Sequence, residues 1–218
     1  MHANPPSPPA VLPWPRRLAI VLATTLLGAL VYLGINAQPW RPPSSLPPSL
    51  VDAAIGWRAW AIWPYWAMLA TGPALALAIR ERALFYATLR AFALAAGLNA
   101  AVWLAWPTRI ARRPLPDGLD AWTEAAWRAL YALDGPHNCF PSGHITIPAV
   151  AAVGFAAQYP RARGAVAVGL AALAPSVIAT GQHYAWDIAG GLLTATLGLL
   201  LAGAPLWRAV PPPAVACR

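Results

Sequence analysis

The chain has 218 residues, of which 59% are hydrophobic and only 10% are charged, against about 25% charged in an ordinary soluble domain. A soluble globule of this size could not keep so much apolar surface out of water, so the composition predicts an integral membrane protein. The formal net charge of +8 would suit nucleic acid if the basic residues formed one patch. They occur instead as small arginine groups between long apolar runs, so we expect no nucleic-acid partner.

The N-terminal end is the first segment with a distinct composition. Residues 1–15 are too rich in proline to hold a helix, and we expect a disordered tail there. Residues 16–209 then form one transmembrane domain, and residues 210–218 form a short C-terminal tail.

Six apolar segments are candidates for transmembrane helices, because about 20 apolar residues are needed to cross the hydrocarbon core of a bilayer. In chain order they are residues 18–35, 60–79, 83–106, 144–159, 164–180 and 184–207. The sequence therefore predicts an all-α bundle of six transmembrane helices.

The arginines between these segments predict the orientation of the bundle. Arginine near a helix end is retained on the cytoplasmic side, and most arginine groups fall on the side that holds both termini. The opposite side receives the loops 36–59 and 107–143 and the turn at His183. We therefore expect a protein of a bacterial inner membrane, with both termini in the cytoplasm and its polar motifs at the outer face.

His183 and Asp187 stand within an otherwise apolar stretch, residues 164–207. Burying such groups at a membrane is costly, so their presence is a functional hypothesis by default. A spacing of four predicts that both lie on one helix face, where the carboxylate would hold one imidazole nitrogen and leave the other free to attack. The alternative is a polar pair that only joins two helices.

The segment Pro141-Ser142-Gly143-His144 stands immediately before the fourth apolar segment. The unpaired N–H groups at a helix start form an anion site, to which the Ser142 hydroxyl and the close backbone approach allowed by Gly143 would contribute. His144 would then stand beside a bound phosphate and could protonate a leaving oxygen.

Three arginines, Arg109, Arg112 and Arg113, lie in the predicted outer loop, against the charge rule that orients the other arginines. Guanidinium groups bind phosphate through two parallel hydrogen bonds and stay charged at any relevant pH. Arg113 is our first choice for substrate binding and Arg109 our second. Contact with anionic lipid headgroups is the alternative.

In chain order the clusters read Arg-Arg-Pro, Pro-Ser-Gly-His and His-x-x-x-Asp, and this ordered set resembles the motifs of the type 2 phosphatidic acid phosphatase superfamily over residues 109–191. The resemblance implies that Arg113, Ser142 and Gly143 bind phosphate. It also implies that His144 is the acid and that His183 is the nucleophile, oriented by Asp187.

Two positions depart from the family's pattern. Trp106 stands where the first motif begins with lysine, and Val177 stands where the third motif has arginine, so that Arg109 or Arg112 would have to compensate. The run Gln182-His183-Tyr184, followed by Asp187, is similar to the third motif of the branch that contains the sphingolipid and inositol phosphotransferases, which is likewise His-Tyr followed by Asp. The choice between phosphatase and phosphotransferase therefore stays open.

The motifs together predict an enzyme that hydrolyses a lipid phosphate or diphosphate through a phosphohistidine, without a metal or other cofactor. Transfer of the phosphate to a lipid or polyol hydroxyl is one alternative. A non-catalytic channel or transporter, with His183 and Asp187 along a proton path, is another. A third is a metal site built from His137, Cys139, His144 and His183. Neither the individual lipid nor the oligomeric state follows from the sequence.

The loop between the third and fourth apolar segments contains one further pattern. Trp122, Ala126 and Leu130 recur at helical spacing, which predicts a short amphipathic helix at the membrane interface.

Overall fold

Helices make up most of the chain in this computed structural model, which describes residues 10–203. In chain order they are α1 (Trp14–Ala37), α2 (Leu50–Ile55), α3 (Ile62–Ala78), α4 (Arg82–Ala105), α5 (Ala121–Leu133), α6 (Gly143–Gln158), α7 (Arg163–Leu173), α8 (Pro175–Ala179) and α9 (Ala185–Ala202). Short 3-10 turns precede α3 and α7. A two-residue parallel pair, β1 (Ser44–Ser45) with β2 (Thr108–Arg109), joins two of the loops. The predicted all-α class is confirmed.

Each of the six apolar segments contains helix: α1, α3, α4, α6, the pair α7 and α8, and α9. Four helical stretches are long and apolar enough to cross a membrane: Trp14–Ala37, Arg82–Ala105, Pro160–Ala179 and Ala185–Ala202. α3 has 17 residues and α6 has 16, fewer than the about 20 of a typical span. The end of the sixth segment, residues 204–207, and the predicted tail 210–218 lie outside the described residues.

The N-terminal segment is ordered over more of its length than the sequence predicts. α1 begins at Trp14, and the residues before it run beside the start of α4. The Leu12 N–H donates to the Arg80 carbonyl, and the Arg82 N–H donates to the Ala10 carbonyl, each over 2.8 Å. The predicted disordered tail therefore does not include residues 10–15, and residues 1–9 lie outside the described part of the chain.

Small residues allow α6 and α9 to pack directly against α4, as is common between membrane helices. A Cβ at Gly198 of α9 would lie 2.7 Å from both the Ala91 carbonyl oxygen and the Ala95 Cβ of α4. A Cβ at Gly154 of α6 would lie 2.1 Å from the Thr88 hydroxyl of α4. These close approaches bring α6 and α9 into contact with each other as well as with α4.

α5 confirms the expected amphipathic helix, but its buried face differs from the predicted one. The buried stripe consists of Thr123, Trp127 and Leu130, whereas Trp122 is 79% exposed. Trp127 is fixed because its indole N–H donates to the Ala59 carbonyl over 2.9 Å, and its ring packs against Trp57. The helical spacing alone could not show whether Trp122 or Trp127 would contact the Ala59 carbonyl.

The contact of α9 with α4 gives a test of the packing. Gly198→Ala should lower the free energy of unfolding by about 1–3 kcal/mol, because the added methyl must displace backbone of α4. Gly97→Ala on α4 is the matched control, since a Cβ there meets no atom within 4 Å and alanine favours a helix. Thermal unfolding in detergent measures both, and equal stability of the two variants would contradict this packing.

Candidate active site

The starts of α6 and α9 lie side by side and bring the two histidine motifs together. The Ser142 N–H, at the start of α6, donates to the Asp187 carbonyl in the first turn of α9 over 3.0 Å. Gly191 allows this approach, because a Cβ there would lie 2.6 Å from the Ser142 carbonyl oxygen. The predicted meeting of these two motifs at one end of the helices is therefore present in the structure.

His144 and His183 are in direct contact. His144 Nδ1 lies 2.8 Å from His183 Nε2, a hydrogen-bond distance, and the ring centroids are 5.0 Å apart. His183 is only 2% exposed, so water does not compete with this contact. Two imidazoles that sequence reasoning placed in separate motifs 39 positions apart therefore form one unit.

Asp187 is the carboxylate partner of this histidine pair. Its Oδ2 lies 3.4 Å from His183 Nδ1 and also accepts a hydrogen bond from the Tyr184 N–H over 2.7 Å. The predicted pairing occurs, but not on one helix face, because α9 begins at Ala185 and His183 lies in the loop before it. Asp187 caps the start of α9, and the loop before this helix is turned so that His183 faces the same carboxylate.

The chemistry of these contacts favours one placement of the protons. The 3.4 Å approach of His183 Nδ1 to Asp187 is not a hydrogen bond, but a carboxylate only accepts, so a proton on Nδ1 suits this neighbour and leaves Nε2 with a lone pair. His144 Nδ1–H then donates to that lone pair. In neutral His144 the other nitrogen, Nε2, is an acceptor, and it accepts from the Tyr65 hydroxyl over 2.9 Å. One imidazole of the pair thus offers a lone pair to the N–H group of the other.

A second carboxylate, Asp134, lies on the other side of His144. Its Oδ2 is 3.4 Å from the Tyr65 hydroxyl and 3.9 Å from His144 Nε2. Its Oδ1 accepts hydrogen bonds from the Tyr32 hydroxyl over 2.8 Å and from Asn36 Nδ2 over 3.0 Å. Sequence reasoning missed all four of these residues, because they come from α1, α3 and the end of α5, with no common spacing.

A third carboxylate holds the loop that carries His183. Asp52 is buried, and its Oδ1 accepts from the Ala185 N–H over 2.8 Å. Its Oδ2 accepts from the N–H and the hydroxyl of Ser49 in a capping box at the start of α2. The segment before α3 is therefore fixed directly to the first residue of α9.

Arg112 is the arginine that contacts the site. Its guanidinium donates to the Gly135 carbonyl over 2.8 Å, to Gln182 Oε1 over 3.1 Å and to the Tyr131 carbonyl over 3.2 Å. It also lies over the Tyr131 ring, 4.8 Å from the centroid. Gly135 directly follows Asp134 and Gln182 directly precedes His183, so these contacts connect Arg112 to both sides of the site.

The other two candidate arginines lie further out. Arg113 and Arg109 are both exposed, and the Arg113 carbonyl accepts from the Tyr131 hydroxyl. Arg112, which was neither our first nor our second choice, is thus the arginine that lies beside the site, and a substrate-binding role for Arg113 or Arg109 stays a prediction. Trp106 stands where the resembled motif would have lysine, and its ring packs against Phe140, with centroids 5.6 Å apart.

Several buried donors around the histidine pair have no hydrogen-bond partner within residues 10–203. They are Ser142 Oγ, Gln182 Nε2, Arg112 Nε and His183 Nδ1, and Asp187 Oδ1 is a buried acceptor that also has no partner there. An unpaired buried polar group costs about 1–3 kcal/mol, so the Ser142, Gln182 and Arg112 donors are free to bind a group rich in hydrogen-bond acceptors. The start of α6 agrees with this, because Ser142 stands at its N-cap without forming a side-chain cap.

The alternative metal site is not assembled. Across the described range, no three side chains of the histidine, cysteine, aspartate and glutamate types converge as metal ligands would. His137 Nδ1 contacts the Asn36 carbonyl at 3.0 Å, and the Cys139 thiol contacts the Pro136 carbonyl at 3.4 Å. The four residues proposed as a metal site from sequence therefore do not form one.

Comparison of the chain with protein-family models, with curated proteins and with solved structures found no match.

Burial raises the pKa of the Asp134 carboxyl above its ordinary value, although the Tyr32 hydrogen bond and the nearby Arg112 charge lower it. The folded protein therefore binds this proton more tightly than the unfolded chain does. Stability contributed by the proton is fully present below the ordinary carboxyl pKa of about 3.9 and is lost as the pH rises through the raised pKa of the folded state.

Asp134→Asn should remove this dependence. Thermal unfolding at closely spaced pH values should show the melting temperature of the variant gaining on that of the wild type as the pH rises through this window. Asp117→Asn, a change of the same kind at an exposed turn, should follow the wild type throughout. A difference between Asp134→Asn and wild type that did not vary with pH would contradict the raised pKa.

Proposed function

We propose that this chain is an integral membrane phosphoesterase of the type 2 phosphatidic acid phosphatase superfamily, which hydrolyses a lipid phosphate or diphosphate through a phosphohistidine. The contact of His144 with His183 carries the proposal, because it pairs a nucleophilic nitrogen with a proton donor. The unpaired donors of Ser142, Gln182 and Arg112 support it, since phosphate oxygens are acceptors of the kind these groups lack.

The helix surfaces support a membrane location. The apolar window of α1 is only 6% buried, and its leucines Leu22, Leu26 and Leu30 are each at least 60% exposed. Such a surface would be unfavourable in water and suits lipid. In the proposed arrangement the six apolar segments span the inner membrane of a bacterium, with both termini in the cytoplasm and the site at the outer face.

An apolar groove next to the site supports a lipid substrate. The groove has a volume of about 350 Å³ and is lined by α4, α9 and the pair Phe140-Pro141, which directly precedes Ser142. A phosphate held at Ser142 would thus have an apolar surface beside it for the attached hydrocarbon chain. The lining gives no code for one particular lipid.

In the first step of the proposed reaction, the His183 Nε2 lone pair attacks phosphorus and the bond from phosphorus to the leaving oxygen breaks. The His144 Nδ1 proton passes to that oxygen. Asp187 stabilises the positive charge that develops on His183, and Arg112 and the start of α6 stabilise the phosphoryl oxygens. Because a reacting atom lies about 3 Å from its nucleophile, the substrate must replace the direct hydrogen bond between the two imidazoles.

In the second step, His144 acts as the base. Water attacks the phosphohistidine, its proton passes to His144 Nδ1, and phosphate leaves His183 Nε2 with the lone pair restored. An alcohol in place of water would give the transferase reaction with the same residues. The nature of the acceptor at this step, and not the histidine pair, therefore distinguishes hydrolysis from transfer.

His183→Ala should abolish turnover of a lipid phosphate, and a cooperative melting transition in detergent should show that the variant is still folded. Acid-labile labelling with ³²P-lipid phosphate should appear in the wild type and be absent from the variant. His137→Ala is the matched control, because His137 is near the site in sequence but does not contact either imidazole. A His183→Ala protein with full turnover would exclude the nucleophile assignment, and assays with and without acceptor alcohols identify the product.

Arg112→Ala should weaken inhibition by inorganic phosphate by about 10- to 100-fold, since hydrogen bonds to charged groups contribute about 1.5–3 kcal/mol. Arg113→Ala and Arg109→Ala should change it by less than about threefold, as expected for exposed charges. Competition against a lipid phosphate in mixed micelles measures all three. A larger loss of phosphate inhibition in Arg113→Ala than in Arg112→Ala would instead support Arg113 as the phosphate-binding arginine, as predicted from the sequence.

A further inference from the structure

Proton balance in the proposed reaction requires a group beyond the two histidines. When neutral His144 gives its Nδ1 proton to the leaving oxygen, the ring would become an imidazolate unless Nε2 gains a proton at the same time. A buried imidazolate anion is very unfavourable. The donor must therefore contact His144 Nε2.

The Tyr65 hydroxyl is that contact, 2.9 Å from His144 Nε2. A tyrosine that gave up its proton would itself become a buried anion, so it must be supplied in turn. Asp134 Oδ2 lies 3.4 Å from the same hydroxyl oxygen, and a protonated carboxyl at that position would donate to it. The polar atoms thus form one continuous line from Asp134 through Tyr65 and His144 to His183.

We propose that Asp134 is the proton store of this site and that Tyr65 is the shuttle that connects it to His144. The proposal rests on the phosphohistidine mechanism above and adds two catalytic groups to it. In the first step the proton of Asp134 Oδ2 passes to Tyr65, the Tyr65 proton passes to His144 Nε2, and the His144 Nδ1 proton passes to the leaving oxygen. Asp134 ends as a carboxylate and His144 as its other neutral tautomer.

The second step returns every proton. His144 Nδ1 now carries a lone pair, and it accepts a proton from the attacking water. The proton on His144 Nε2 then returns to Tyr65, and the Tyr65 proton returns to Asp134. The same line of atoms thus serves His144 first as an acid and then as a base. No proton has to enter from solvent into a site whose nucleophile is 2% exposed.

The surroundings of Asp134 fit a carboxyl group that alternates between its two forms. Oδ1 accepts from Tyr32 and Asn36 in either form, which leaves Oδ2 to carry the proton towards Tyr65. Burial favours the protonated form by raising the pKa of Asp134, as described above. The ionised form is stabilised by the hydroxyls of Tyr32 and Tyr65 and by the Arg112 guanidinium. The other titratable groups that face the carboxyl are His144 and His183.

Asp134→Asn separates proton supply from geometry. The amide can keep one acceptor for Tyr32 and one donor for Tyr65, but it has no proton to release. Tyr65→Phe breaks the line itself. Asp117→Asn, at an exposed turn, and Tyr159→Phe, whose hydroxyl donates to the Ala78 carbonyl, are the matched controls. The protein is purified at full length in detergent, and all four variants are compared with the wild type.

The readout is the dependence on the leaving group. An alkyl phosphate monoester needs protonation of its leaving oxygen, whereas a nitrophenyl phosphate leaves without it. At neutral pH both Asp134→Asn and Tyr65→Phe should slow release from the alkyl ester by about 10²- to 10⁴-fold, the usual effect of general acid catalysis. The first-turnover burst of nitrophenol should change by less than about threefold. The two control variants should match the wild type with both substrates.

Equal losses with both substrates would overturn the proposal, because they would indicate a merely structural role, and so would unchanged rates with both. Failure of the proposed function gives a different result. In that case the wild type itself forms no phosphohistidine from either ester, or His183→Ala turns over at the wild-type rate.

Discussion

The hydrogen bond between His144 and His183 is the interaction on which the arrangement of the site depends. Buried polar groups need partners, and each imidazole has one nitrogen satisfied by the other ring. Each remaining nitrogen must then find its own partner inside the protein. The Tyr65 hydroxyl contacts His144 Nε2 over 2.9 Å, and the Asp187 carboxylate lies 3.4 Å from His183 Nδ1. The 2.8 Å contact therefore lies where α3, α6 and α9 meet at one end of the bundle.

The helix packing serves this requirement. Glycines at 154, 191 and 198 remove the side chains that would hold α6 and α9 away from α4 and from each other. Close packing of these helices restricts the loop before α9. The Asp52 bond to the Ala185 N–H and the Arg112 bond to Gln182 fix this loop further. The geometry of the histidine pair is therefore set by backbone packing rather than by the histidines themselves.

Local patterns in the sequence predicted the helices well and the buried partners poorly. Each of the six apolar runs contains helix, and four of the helical stretches are long and apolar enough to cross a membrane, because length and composition decide where a chain of this kind can be helical. The meeting of His144 with His183 was expected from motifs. Asp134 and Tyr65 were not expected, because they are 69 positions apart and neither belongs to a recognisable spacing. Arg112 was ranked below Arg113 since adjacent guanidiniums cannot be distinguished until the loop path is known.

The start of α9 differs from that of α6 in one respect that affects any anion entering the site. The partial positive charge at the start of a helix attracts anions, but on α9 the first amides already hold two internal carboxylates, those of Asp187 and Asp52. On α6 the equivalent groups behind Ser142 hold no side chain. Two amides at the start of α9 thus hold carboxylates, whereas the nearby start of α6 has no side-chain cap. In the proposed reaction only the start of α6 would therefore orient the phosphoryl oxygens.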